Sequence, residues 1–234
     1  MQNKNNFIYT GLEELKILEC MKNYNNSIVD DSIKYCRGIN SIIDFGAGIG
    51  TMSILFRKKI NMNPLCIEID ENNIKELKKR KLDYTKSLST ISEPVDLVFS
   101  SNVLEHIKDD YEVLKVIKEK LKNNGLLFLY LPANMILWTK LDEMVGHYRR
   151  YEMKKIKSLC KKAGFNIVKI HYADFLGFFT TLIWKLFNIF VKKSLPSKSA
   201  LIFYDKYIFP LSRLMDKVGF RFLIGKNIII VAKK

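Results

Sequence analysis

The 234-residue sequence is poor in the residues that build metal sites and disulfide frameworks. Its four cysteines, Cys20, Cys36, Cys66 and Cys160, form no CxxC pair and do not cluster with the three histidines. That pattern excludes a zinc ribbon or a stapled secreted scaffold and suits reduced thiols in a cytoplasmic protein. Prolines number five, no Gly/Ser-rich or Pro-rich linker is present and no segment repeats, so neither a string of domains nor a solenoid is indicated. The opening MQNKNNFIYT lacks an apolar run and does not read as a signal peptide. Acidic charge is scarce as well: 24 acidic residues against 39 basic ones leave a formal charge of +15. Such an excess suits an anionic substrate, an anionic membrane surface or nucleic acid. It suits a lysine-biased genome equally, because the lysines are spread along the whole chain.

What is abundant is apolar side chain, 48% of the residues, enough for one α/β domain with a sizeable core. Residues 11–35 read as helical. Strand and helix patterns then alternate: INSIIDF, PLCIEID, VDLVFSS, LLFLYL and NIVKIHY as strands, separated by amphipathic helices. The helix DDYEVLKVIKEKLKNNG has Asp109 and Asp110 at its positive end and Gly125 as its stop. NIIIVAKK closes the chain as a last strand. The alternation predicts a Rossmann-like, doubly wound, mostly parallel sheet of seven strands with a helical insertion before the last strand. The predicted division is a ligand-binding domain of residues 1–172 and 225–234, and an apolar helical insertion of residues 173–224.

In SIIDFGAGIGTMS, Gly46, Gly48 and Gly50 stand between a strand and a helix, where a backbone without Cβ atoms turns tightly and lies close to a ligand. The second strand ends in Glu68, 24 residues after Asp44, placed for a carboxylate to accept both ribose hydroxyls of a nucleoside.

The motifs IIDFGAGIG, CIEID, VDLVFSSNVLEHI and LKNNGLLFLYLPA, in this order and spacing, resemble the class I S-adenosylmethionine-dependent methyltransferases over roughly residues 15–175. VLEH and the later DEMVGHYRRYEMKKIKSLCKKAGF are similar to the small-molecule branch, whose members often accompany glycosyltransferases in surface-polysaccharide and lipid pathways. The resemblance implies S-adenosylmethionine as cofactor. It places Asp44, Gly46, Ala47, Gly48 and Gly50 around the methionine end, with Ser101 and Asn102 facing the same portion. Glu68 takes the ribose, Ile69 packs on adenine, and Ser87 and Leu88 lie at the adenine edge. Tyr24 belongs to an upstream segment that closes over the cofactor.

For the acceptor, His147 in GHYRRY follows the fifth strand and is the first candidate for a catalytic base or substrate contact; alternatively it locks that loop together with Tyr148. His106 is the second candidate. Tyr148, Arg149 and Arg150 are expected to meet substrate, the arginines gripping a phosphate or carboxylate in forked geometry or else pairing with Asp142 or Glu143. Some quinone-pathway relatives bind a divalent metal through a Glu at the position of Asn102. The triplet Asn102, Glu105, His106 makes a poor Mg²⁺ site, so no metal is expected.

In ADFLGFFTTLIWKLFNIFVKK, the polar residues Thr181, Lys185, Asn188 and Lys192 form one narrow helical stripe in an otherwise apolar run. Phe175–Val191 falls at the lower limit for a membrane span. With Lys192, Lys193 and Lys198 beside it, the segment suits a helix lying in an anionic membrane interface, a lid over a lipid-linked substrate, or a face packed on the domain or in a homodimer. FYDKYIFPLSRLMDKVGF reads as its partner helix, broken before Pro210.

The sequence therefore predicts a cytoplasmic enzyme, with peripheral contact to the inner membrane face as one reading of the insertion. It methylates a small acceptor such as a hydroxyl of a sugar, a lipid-linked saccharide or a related metabolite. The alternatives are an RNA methyltransferase, which the charge permits but which lacks the Asn/Asp-Pro-Pro-aromatic signature of base methylators, and a non-catalytic cofactor-binding scaffold at a membrane.

Overall fold

The structure is a computed structural model and describes residues 11–191 and 196–234. Seven strands make one sheet: β1 (Ile42–Phe45), β2 (Leu65–Ile67), β3 (Tyr84–Thr85), β4 (Val95–Ser101), β5 (Leu121–Pro132), β6 (Asn166–Ala173) and β7 (Asn227–Lys233). Their spatial order is β3-β2-β1-β4-β5-β7-β6. All neighbours are parallel except β7, which runs antiparallel to both β5 and β6. This is the doubly wound, mostly parallel sheet that the alternation predicts. The chain starts at the centre and winds outward through β2 and β3, then the other way through β4 and β5. The reversal opens a crevice beyond the carboxyl ends of β1 and β4, where such sheets bind ligands.

The strands read as unbroken apolar runs because both faces of the sheet are covered. Along β5, Leu127, Leu129 and Leu131 join one core, while Phe128 and Tyr130 join the other. In β7, Ile228, Ile230 and Ala232 face the first core, and Ile229 and Val231 the second. Phe99 stacks on Phe128 with ring centroids 5.4 Å apart, and Phe56 meets Phe99 edge-on at 5.2 Å.

The helices are α1 (Leu12–Leu18), α2 (Lys22–Ile33), α3 (Thr51–Ile60), α4 (Glu71–Lys79), α5 (Asp110–Lys120), α6 (Lys140–Met144), α7 (Met153–Lys162), α8 (Phe175–Val191), α9 (Lys198–Phe203) and α10 (Phe209–Lys217). Asp70 caps α4 by accepting from Asn72 N and Asn73 N. Residues 11–35 are helical, as two helices, α1 and α2. One local expectation changes. Gly125 does not stop a helix: α5 ends at Lys120, Leu121 pairs with Val95, and Gly125 lies within β5. β3 spans two residues, too short for any periodicity to announce it.

Between β6 and β7 run α8, α9, a single π turn at Tyr204–Ile208, and α10, with Pro210 in the first turn of α10. No helix among the described residues is long and apolar enough to cross a membrane. The side chain of Asn188, and Lys192 and Lys193, fall outside the described residues. Two buried carboxylates fasten this segment to the rest. Asp216 accepts from Asp174 N at 2.8 Å and Phe175 N at 3.2 Å, capping α8 from α10. Asp205 accepts from Asn23 N at 3.0 Å and Tyr24 N at 2.8 Å. These are the first amides of α2, whose own N-cap, Met21, offers no side-chain oxygen.

Asp205 is 5% exposed, and replacing it with Ala removes the acceptor of two helix-start amides. Asp205→Ala is expected to lower stability by about 1–2 kcal/mol and to speed amide exchange in the first turn of α2. Equal denaturation midpoints and exchange rates would contradict the capping role.

Candidate active site

The turn after β1 is built on backbone that only glycine adopts cheaply. Gly46, Gly48 and Gly50 have φ of +75°, +55° and +82°. A Cβ on Gly46 would also lie 2.3 Å from a Val103 methyl, so the turn packs directly against the segment that leaves β4. Gly46 N and Ala47 N both donate to Ile67 O, at 2.9 and 3.1 Å, folding the turn over the end of β2.

There the Glu68 carboxylate accepts from Gly48 N at 2.7 Å on Oε2, and from Ile69 N and Asp70 N at 2.8 Å each on Oε1. It is 8% exposed, and burial raises its pKa against the pull of these three bonds. A carboxylate has about four acceptor sites, so one remains for a further donor. Beside it Ile69 is 77% exposed, an apolar side chain standing free at the rim. Asp44, 2% exposed, accepts from Ser53 Oγ at 2.7 Å, and burial pushes its carboxyl up to about 7.

The remaining cofactor candidates occupy the same rim. Ser87 and Leu88 follow β3, with Ser87 Oγ accepting from Ser89 N. The Leu88 side chain belongs to the core, in one cluster with Ile91 and Val95, and does not stand at the rim. Ser101 ends β4, and Asn102 follows with φ +53° and an exposed side chain. Tyr24 packs edge-on against Tyr130 and Phe209, and its hydroxyl accepts from Asn227 Nδ2 at 3.1 Å. A glycine turn in close approach, a buried acid with one acceptor site left and an exposed aliphatic beside it fit a nucleoside with a charged tail.

Beyond β4 and β5 a second cluster forms around Asp142, which is 1% exposed. Its carboxylate accepts from His147 Nδ1 at 2.8 Å, from Arg150 Nε at 2.8 Å and Nη2 at 3.1 Å, and from Thr139 N at 2.8 Å. Burial works against its charge, but the bonds from His147 and Arg150 hold it down at about 2. An ionised Asp142 makes Nδ1 of His147 the proton donor and leaves Nε2 as the acceptor of the neutral ring.

Nε2 lies 3.8 Å from Glu105 Oε1, and the His147 ring meets that of His106 at 4.5 Å, edge to face. Glu105 is fully buried, and neither of its carboxylate oxygens has a hydrogen-bond partner among the described residues. Burial raises its carboxyl to about 8, so it is a neutral acid at pH 7. Burial and the neighbouring His147 lower His106 to about 4, against a hydrogen bond to the Val145 backbone.

Of the two expectations for the arginines, the pairing with Asp142 is the one that Arg150 forms, while Arg149 pairs with Asp110, a partner outside the motif. Arg150 spends its fork on Asp142, and Arg149 reaches Asp110 at 2.5 Å and Lys108 O at 2.8 Å. Tyr148, 57% exposed, donates its backbone N–H to Glu105 O and presents its ring outward. Asp142 is the residue that sequence reasoning passed over as His147's partner. Its signal was the short spacing, five residues, within one motif.

Glu105, His106 and His147 bring one donor atom each to within 4.8 Å of one another, a grouping that could hold a divalent cation. His147, arriving from beyond β5, gives Glu105 and His106 a third donor that Asn102 does not supply.

Comparison with known proteins follows the same lines. A family model described as a methyltransferase domain matches residues 19–170, more than half of the chain. No curated protein matches it in sequence. Among solved structures, the chain is similar to a SAM-dependent methyltransferase from Thermotoga maritima, with TM-score 0.63 and 13% identity over 97% of this chain and 98% of that one. A SAM-dependent methyltransferase from Archaeoglobus fulgidus aligns with TM-score 0.59 and 17% identity over 89% and 92%. A phosphoethanolamine N-methyltransferase 2 from Haemonchus contortus, bound to phosphomonomethylethanolamine and S-adenosylhomocysteine, aligns with TM-score 0.58 and 17% identity over 98% of this chain and 58% of that one. At these identities the likenesses show the fold.

The buried acid makes a measurable demand on pH. Folding holds the Glu105 proton up to about 8, whereas the ordinary value is 4.5. The stability tied to that proton is therefore complete below pH 4.5 and is lost as pH rises toward 8. Denaturant unfolding between about pH 5 and about pH 8 should show wild type losing stability relative to Glu105→Gln, which has no such proton to lose. Parallel pH profiles for the two proteins would contradict the assignment.

Proposed function

The chain belongs to the methyltransferase domain family, and from that premise we propose that it transfers a methyl group from S-adenosylmethionine to a hydroxyl of a small acceptor, a sugar, a lipid-linked saccharide or a related metabolite, with His147 as the base. The observation that carries the reading is the Asp142–His147 pair, set beyond β5 with its Nε2 side turned toward the segment that packs on the glycine turn.

In this reading Gly46, Ala47, Gly48 and Gly50 cradle the methionine end of the cofactor, with Asp44, Ser101 and Asn102 around it. Glu68 accepts from the ribose through its remaining acceptor site. Ile69 covers one face of the adenine, and Ser87 and the Leu88 backbone border its edge. When bound, S-adenosylmethionine supplies a methyl group already activated on a sulfonium. The protein's task is then alignment, which can supply about 7–11 kcal/mol of the barrier.

His147 Nε2 takes the acceptor's hydroxyl proton as that oxygen forms its bond to the methyl carbon and the carbon–sulfur bond breaks. Asp142, already ionised, stabilises the positive ring that results, and Arg150 keeps Asp142 in place. Neutral Glu105 puts no competing negative charge beside Nε2. The neighbouring His106 serves as the alternative base or as part of the wall.

The test is transfer of labelled methyl from S-adenosylmethionine to nucleotide sugars and lipid extracts, with RNA alongside. Label is expected in the small acceptors; label in RNA, with steep salt dependence, would overturn the acceptor class. His147→Gln is expected to lower kcat by about 10²–10⁴-fold with cofactor affinity kept, and Asp142→Asn to act in the same direction. Unchanged turnover in His147→Gln would remove it as the base. A chelator is expected to leave turnover unchanged; a loss restored by a divalent metal would reassign Glu105, His106 and His147 as ligands.

A further inference from the structure

α10 is a helix turned inside out. Its buried positions are Phe209, Ser212 and Asp216, while Leu211, Leu214 and Val218 are 52–69% exposed. Asp216 and Ser212 face inward because they cap α8 and bind Asp174. The apolar side chains are therefore left outside, on one stripe at steps of three and four. The stripe begins at Tyr207 and continues past the helix end in Phe222 and Leu223, 60% and 70% exposed. The neighbouring α8 buries Phe175 and Phe178 but also leaves apolar side chains outside. Lys185 turns to the protein and donates to Ile136 O at 2.7 Å, while Ile183, Leu186 and Phe187 are more than half exposed. Monomeric soluble proteins seldom leave so much apolar surface together.

The charge around this face is one-sided. From Phe175 to Lys226 the sequence carries nine basic residues and two acidic ones. Both acids, Asp205 and Asp216, are buried and spent on capping. Lys198, Lys206 and Lys217 are exposed, and Arg221 stands beside Phe222. No acidic side chain of this segment reaches its surface among the described residues.

We infer that the outer face of α8, α10 and the Phe222–Leu223 corner docks on an anionic lipid surface. Large apolar side chains rimmed by cations, on helices too short to span, match a bilayer interface: the side chains enter the headgroup boundary and the cations meet lipid phosphates. A second copy of this chain fits the face poorly, because it would bring one basic rim against another. Ile136, 58% exposed, lies in the post-β5 segment that leads to His147, and Lys185 of α8 meets its carbonyl. A lipid-borne acceptor would arrive on that side. The docking itself does not rest on methyl transfer.

Sedimentation with vesicles of phosphatidylcholine, with and without phosphatidylglycerol, tests it. Wild type is expected to pellet with the anionic vesicles, weakly with the neutral ones, and less at high salt. Two double variants, Phe222→Ser with Leu223→Ser and Lys206→Glu with Lys217→Glu, should each weaken binding by about tenfold or more. Their melting temperatures should stay at the wild-type value, because all four side chains point away from the core. Wild type that stays in solution with both vesicles, or variants that bind as well as wild type, would overturn the inference. So would a concentration-dependent dimer in sedimentation that Phe222→Ser with Leu223→Ser abolishes while vesicles bind nothing. A protein that docks but fails to bind S-adenosylmethionine would sink the methyltransferase reading and leave this one standing.

Discussion

The Glu68 carboxylate holds two turns as one piece. It accepts from Gly48 on the β1 turn and from Ile69 and Asp70 at the end of β2. Gly46 N and Ala47 N hold the start of the turn to Ile67 O, and Glu68 adds the bond that fixes its middle residue, Gly48. Everything downstream depends on that fixed wall. Gly46 can approach Val103 because the turn is tight, and the approach sets where the chain leaves β4. Glu105 follows two residues later and meets His147. The crevice is thus a consequence of the switch in strand order, narrowed by one buried acid.

On the other wall a second buried acid does the equivalent work. Asp142 gathers Arg150, His147 and the Thr139 backbone, so three points of a loop share one centre. A buried carboxylate with this many donors stays ionised, and that decides the tautomer of His147. Glu105 is the opposite case: burial keeps it neutral, and its carboxylate has no side-chain donor among the described residues. Two acids near one imidazole, with environments that push their pKa values apart, is the arrangement expected where a proton must move in a chosen direction.

The sheet was legible where the physics is local. The central strands announce themselves as apolar runs because both faces are buried, β6 by alternation at the sheet edge, and the glycine turn with Glu68 shows itself by spacing. β3 is two residues and leaves no pattern. The break between α1 and α2 was hidden because the group that restarts the helix, Asp205, lies about 180 residues away in sequence. The same holds at the site. GHYRRY drew attention to His147 and its arginines, and Asp142, close by in sequence, was legible as a partner, but the pairing of Arg149 with Asp110 depends on a tertiary fit. For α8 and α10, periodicity separates a polar stripe from an apolar one without saying which faces inward. The buried needs of Asp174 and of the α8 amides decide it.

The most direct measurement is calorimetric titration of the protein with S-adenosylmethionine beside Glu68→Ala, with folding of the variant confirmed by its melting curve. The account predicts micromolar binding by wild type and a weakening of about tenfold or more in the variant, the size of a lost charge-assisted contact of about 1.5–3 kcal/mol. No binding by wild type, or equal affinity in a folded Glu68→Ala, would contradict it.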